Sequence, residues 1–184
     1  MPKIFSAMSP PTVPQICLRP LTVAAAPAML QWMRDPDVAD NVGLRSEPSL
    51  EKTVAWIERT TADPDMAVWA ITAAGAHVGN VILDRIDRHL GTARLSIYIG
   101  EPEARGKGIG QQAVRLAADQ AFTVLNLNKV WLTVHQHNAR AIAAYRRAGF
   151  LAEGLLREEF VLRGEKCHAV VMGLLRREFN RKAA

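Results

Sequence analysis

The 184-residue sequence has two cysteines, Cys17 and Cys167, far apart and with no C-x-x-C pair. Dithiol redox chemistry and zinc-type Cys/His spacing are therefore excluded, and a reduced, cytoplasmic setting is expected. No stretch approaches the roughly 18 consecutive apolar residues of a membrane span. The opening MPKIFSAMSPPTVPQ carries one lysine and four prolines around no apolar segment. Neither export nor membrane insertion is expected. Runs of about five or six like charges are missing, as is any RNA-binding aromatic signature, so nucleic acid is not an expected partner.

The composition is that of a soluble globular protein, with 49% hydrophobic and 22% charged residues. That is enough apolar material for one core, and the length suits one domain. Lysines and arginines number 23 against 18 acidic residues, a net charge of +5 with the two signs intermixed. Such a balance favours an anionic ligand.

The proline-rich residues 1–15 read as a flexible tail and residues 16–184 as the domain. ICLRPLTV, residues 16–23, reads as a strand. The helix that follows should end near Arg34, because Pro36 disfavours helix at the residue before it. Asp35, Asp37 and Asp40 read as an acidic turn, solvated or facing a cationic ligand. A second helix is predicted from Ser49, a serine N-cap followed three residues on by Lys52, so without the full capping box.

Residues 67–100 are rich in β-branched side chains and broken by Gly75 and Gly91, the pattern of successive antiparallel strands. In the last of these, Ala93, Leu95, Ile97 and Ile99 alternate with Thr92, Arg94, Ser96 and Tyr98, which puts one face on a core. Ile109, Ala113, Leu116, Ala117, Ala121 and Val124 then recur at helical spacing, a helix of about four turns. KVWLTVHQ reads as a strand and NARAIAAYRRAG as a helix between Asn138 as N-cap and Gly149 as C′ residue. Two strands around a turn at Arg163 and Gly164, reaching to REF at residues 177–179, close the chain. The fold class is α+β, around one mixed sheet with a strand-loop-helix-strand crossover.

The crossover carries EARGKGIGQQAV, with Gly106, Gly108 and Gly110 around Lys107. A phosphate-binding Walker loop needs G-x-x-x-x-G-K-[ST]. Here five residues separate Gly100 from Gly106, and Gly108 stands where the magnesium-binding hydroxyl belongs. The dinucleotide fingerprint is formally met by residues 108–113, but it also wants a carboxylate about 20 positions on. That place is occupied by HQHN. A plain strand-to-helix turn does not account for three glycines, each costing roughly 0.5–1 kcal/mol relative to alanine in a regular element. The backbone is expected to be bare because a ligand lies against it.

A third pattern, R-x-x-G-x-G, is met by Arg105, Gly108 and Gly110. With NARAIAAYRRAGF at 138–150, the sequence resembles the GNAT superfamily of acyl-CoA N-acyltransferases. The resemblance covers nearly the whole ordered chain and is densest at residues 96–175. AFTVLNLNKVWLTVHQHNARAIAAYRRAGFLAEGLLREEF is similar to the branch of ribosomal-protein N-terminal, spermidine and amino-sugar acetyltransferases.

The resemblance implies a single GNAT-like domain whose mixed, mostly antiparallel sheet is flanked by helices. It also implies acetyl-CoA as co-substrate without a metal, and acetyl transfer to a primary amine by direct attack in a ternary complex. By the same resemblance, the N–H groups around Arg105, Gly106, Lys107, Gly108, Ile109, Gly110 and Gln111 hold the pyrophosphate, as a helix N-terminus is suited to do. The backbone of Ile97, Tyr98 and Ile99 pairs with the pantetheine arm. Asn138 contacts that arm while capping its helix, and Tyr145, two turns along, is the acid that protonates the leaving sulfur. Glu101, Glu103, Asp84 and His135 are candidates for the general base, and none is assigned. A homodimer is compatible with this reading. The alternative from another class is a non-catalytic acyl-CoA-binding or regulatory module.

Overall fold

The computed structural model describes residues 15–181. The expected tail lies, apart from Gln15, outside them. Seven strands form one sheet in the order β1-β2-β3-β4-β5-β7-β6. The strands are β1 (Ile16–Pro20), β2 (Ala67–Ala73), β3 (Ala76–Asp87), β4 (Thr92–Ile99), β5 (Lys129–His135), β6 (Leu151–Leu162) and β7 (Glu165–Leu175). Every neighbouring pair is antiparallel except β4 and β5, which are parallel and joined by the crossover helix α4 (Ile109–Asp119). The expected α+β domain with a mixed, mostly antiparallel sheet is observed.

Helices cover both faces of the sheet. On one face α4 buries Ile109, Ala113, Val114, Ala117 and Ala118 against the strands, with Phe122, Phe150 and Phe179 completing the cluster. On the other, α1 (Ala26–Met33) and α3 (Leu50–Ala62) bring Met29, Trp32 and Ile57 onto Val68 and Ala70. Two of the residues expected on the α4 core face turn outward instead. Leu116 is 37% exposed and Val124 is 66% exposed. The buried stripe runs through 113, 114, 117 and 118, and the chain after Asp119 widens into a π turn over Gln120–Val124, which rotates Val124 away from the sheet.

Local signals act as expected at several ends. Ser49 Oγ accepts from the Lys52 N–H at 3.2 Å, and the β6–β7 turn places Arg163 and Gly164 at φ +52° and +86°. Three expectations are corrected. The strand from Ile16 stops at Pro20, and a single 3-10 turn follows at Val23–Ala25. The acidic turn is a helix, α2 (Pro36–Val42), because Asp35 caps it by accepting the Asp37 N–H at 3.0 Å and Pro36 is pre-set for its first position. Pro36 thus ends one helix and begins the next. The last strand gives way to α6 (Arg176–Arg181), whose Glu178 carboxylate accepts the Leu175 N–H at 3.0 Å. Among the described residues no helix is long and apolar enough to cross a membrane.

Candidate active site

β4 and β5 pair at only three positions, Thr92 with Lys129, Ala93 with Val130 and Arg94 with Trp131. Beyond them the strands part, since each is held on its other side: β4 stays paired to β3 as far as Ile99 with Gly79, and β5 to β7 as far as His135 with Ala169. The parting opens a cleft of about 510 Å³ through the middle of the sheet. Residues 96–99 form one wall with the β4 edge unpaired, and 133–135 form the other. An unpaired strand edge can hydrogen-bond an extended chain laid along it. Ile97, Tyr98 and Ile99 all stand on this wall.

The glycine loop closes one end. Gly106 and Gly108 have φ of +82° and +78°, a left-handed backbone that excludes most side chains. These two glycines are therefore required by the turn itself, which corrects the expectation that a ligand alone demands all three. At Gly110, inside the first turn of α4, a Cβ would meet only Ile99 Cγ1 at 3.8 Å. Among the described residues the N–H groups of 106–111 have no partner; the first N–H engaged after the loop is that of Gln112, bonded to the Gly108 carbonyl at 3.1 Å. Bare N–H groups at the positive end of a helix dipole make a site for an anion. Arg140 and Arg147 of α5 (Ala139–Ala148) stand on the rim, with Arg147 Nε donating to Gln111 Oε1 at 3.0 Å.

Arg105 lines the cleft, but its groups are engaged elsewhere. Its N–H donates to the Pro102 carbonyl at 3.0 Å, and its guanidinium donates to the carbonyls of Ile99 (3.1 Å) and Gly100 (2.8 Å) and to Asp35 Oδ2 (2.8 Å). Arg105 therefore braces the loop against β4 and the start of α2. The Asp35 carboxyl is held below the usual carboxylate range, first by this bond and then by that from the Asp37 N–H. Lys107 does not line the cleft.

The α5 helix brings Asn138 and Tyr145 to the same cleft. Asn138 Oδ1 accepts the Ala141 N–H at 3.0 Å, so the cap is made, and Gly149 at φ +114° ends the helix. Tyr145 is half-buried against Phe150, ring centroids 6.1 Å apart. Its hydroxyl has no protein partner among the described residues, yet it is not sealed in and so opens on the cleft. Burial pushes the phenol up to about 12.

Of the four candidate bases, only His135 lines the cleft. Asp84 is committed to Arg94, with oxygen to nitrogen distances of 2.8 and 2.6 Å, and Glu101 and Glu103 lie off the wall. The structure brings Asp37, read from the sequence as solvated or facing a cationic ligand, onto the wall, and adds Val38 and Asn41 of α2 and Phe160 of β6, which sequence reasoning did not place there. Asp37 and Asp40 also hold the tip of the β6–β7 hairpin through Arg163, at 3.1 and 2.8 Å. The Asp-Pro-Asp helix start was the available signal for α2.

A profile of the Acetyltransferase (GNAT) domain matches residues 15–151. Spermidine N(1)-acetyltransferase of Escherichia coli K12 is 37% identical over 111 residues, which is 60% of this chain and 59% of that protein's length. Spermidine N-acetyltransferase from Vibrio cholerae, in complex with CoA and spermine, superposes with a TM-score of 0.84 at 26% identity, covering 90% of this chain and 98% of that one. A dodecameric structure of spermidine N-acetyltransferase from Vibrio cholerae gives 0.79 at 25% identity, covering 92% and 99%. With three quarters of its length inside the domain profile, and with the parted strands and glycine loop described above, the chain belongs to the GNAT acetyltransferase family.

Proposed function

We propose that the protein is an N-acetyltransferase that moves an acetyl group from acetyl-CoA to a primary amine in a ternary complex. The observation that carries this reading is the parting of β4 from β5 beside a loop with free N–H groups at 106–111. Strand edge, anion site and phenol share one cleft, as a long ligand with a pyrophosphate at one end and a thioester at the other requires.

In this reading the N–H groups of 106–111, with Arg140 and Arg147 beside them, hold the pyrophosphate. The β4 edge at Ile97, Tyr98 and Ile99 receives the pantetheine arm, and Asn138 contacts that arm. Arg105 acts by holding the loop in shape. Acetyl transfer requires the amine without its extra proton, and Tyr145 donates a proton to the departing sulfur.

The acceptor enters from the side of α2 and the hairpin, where Asp37 is the one carboxylate on the wall among the described residues. That charge favours a cationic acceptor, and the relatives' acceptor, spermidine, is the first to try. The protein pairs as a homodimer through the outermost strand β6, which exposes Leu151, Leu155 and Val161 at 60%, 48% and 68%, and light scattering tests it. A cytoplasmic setting is in keeping with Cys17 and Cys167 both being free thiols.

Thiol release from acetyl-CoA tests the function against polyamines, N-terminal peptides, aminoglycosides and UDP-amino sugars. Turnover with at least one amine is expected. CoA binding without thiol release for any amine would overturn it.

A further inference from the structure

We propose that His135 is the general base of the reaction, taking the proton shed by the attacking amine; this rests on the acetyl-transfer reading above. His135 ends β5 where the strands stand parted, it lines the cleft, and its ring packs on that of Phe160, another lining residue. The residue is only 8% exposed. Among the described residues neither ring nitrogen has a hydrogen-bond partner, yet neither is sealed from solvent-accessible space. A buried imidazole in a packed core normally spends its nitrogens on protein partners. This one keeps them for the cleft.

The ring is also held in place. It lies 4.8 Å from the Phe160 ring and 5.5 Å from that of His137. The His135 carbonyl accepts the Asn138 N–H at 2.9 Å, so the base, the α5 cap and Tyr145 two turns further on form one continuous wall. The other titratable groups of the acceptor side are spoken for: Asp37 is paired with Arg163, and Tyr145 retains its proton. The titratable and charged groups facing His135 are His137, Asp40 on α2 and, beyond it, Asp37 with Arg163. Burial is the largest influence on the ring and lowers its proton affinity, His137 lowers it further, and Asp40 opposes both. His135 is therefore neutral at pH 7, as a base must be.

The step balances. The amine nitrogen bonds to the thioester carbonyl carbon and then yields its extra proton to a ring nitrogen of His135. The C–S bond breaks, with sulfur taking the proton of Tyr145. Imidazolium and phenolate are neutralised by exchange with solvent, and the sum is an N–H and an S-acyl group becoming an N-acyl group and an S–H.

The test is the pH dependence of kcat/KM for an amine found to turn over, with CoA affinity measured separately by calorimetry. In the unaltered protein both the amine and His135 must be unprotonated, so log(kcat/KM) rises with slope two at acid pH and breaks to slope one below pH 6.5. H135Q should lower kcat about 10²-fold or more while changing CoA affinity less than about twofold, and should show slope one throughout. H137Q removes the neighbour that lowers the ring's proton affinity and should move the break to higher pH. D40N removes a negative one and should move it lower.

A break that survives in H135Q, or that stays put in both H137Q and D40N, overturns the assignment. Should H135Q not fold, the two neighbouring variants decide. Absence of thiol release from the unaltered protein with every amine would instead strike the acetyl-transfer reading itself.

Discussion

Replacing Tyr145 by phenylalanine removes one oxygen that bonds nothing in the protein among the described residues. The ring, its packing against Phe150 and the α5 backbone are retained. No buried partner is orphaned, so folding stability should change by less than about 0.5 kcal/mol, the range of substitutions that disturb no such feature. CoA affinity should hold within about twofold.

The expected loss falls on chemistry. A phenol pushed up to about 12 stands about 3.5 units above a thiol of pKa about 8.5, and a free-standing transfer to thiolate would be uphill by about 5 kcal/mol. Tyr145 must therefore give up its proton while the C–S bond is breaking, in step with the charge building on sulfur, and not afterwards to a free thiolate. Loss of a group in that role lowers kcat by 10²- to 10⁴-fold, about 3–5 kcal/mol.

The assay is steady-state thiol release with a saturating amine, paired with calorimetric CoA titration and a thermal melt. Since the phenol keeps its proton until well above pH 10, kcat of the unaltered protein should not fall on the alkaline side up to that pH. An unchanged kcat in Tyr145→Phe would rule out Tyr145 as the acid, and an alkaline loss near pH 10 that vanishes in the variant would show that burial does not raise the phenol.

At Gly100 a Cβ would overlap the buried Trp32 ring, so Gly100→Ala should cost about 1–3 kcal/mol and lower Tm by roughly 2–10 °C, whereas Gly154→Ala, with nothing within 4 Å, should not measurably change the melt. Asp37→Asn should raise KM for a polyamine severalfold and leave KM for acetyl-CoA alone; a larger effect on the donor than on the acceptor would contradict the placing of α2 on the acceptor side. His135 binds its proton less readily folded than unfolded, so below about pH 6.5 the unfolded chain takes up more protons and stability falls with pH. Denaturant titrations from pH 7 to 5 should show a shallower decline in H135Q; an identical slope would mean that the ring is not depressed.

Much of this protein is written in local pattern. Ser49, Asn138 and Gly149 announce helix ends because a cap is a bond or a backbone angle within three or four residues, and Arg163-Gly164 announces its hairpin for the same reason. The loop 105–110 and Tyr145 could be nominated for chemistry from the sequence, since each belongs to one short motif. Asp35-Pro36-Asp37 was equally local but ambiguous, as proline both stops one helix and starts another.

What no local pattern holds is the cleft itself. It exists because β4 and β5 are each drawn along by a different outer partner after three paired positions, a balance among strands far apart in the chain. The same distance hides the role of Arg105, whose carboxylate partner Asp35 is 70 residues away, and the gathering of His135, Asp37 and Phe160 from three elements. Neighbouring residues were enough to give the fold class and to nominate the glycine loop as an anion site and Tyr145 as the candidate acid. The bonds from Arg105 to Asp35 and the β4 carbonyls, the outward turn of Leu116 and Val124, and which of four candidate bases lines the cleft are set only by the tertiary fold, because pairing and burial are settled between segments that meet only when the chain folds.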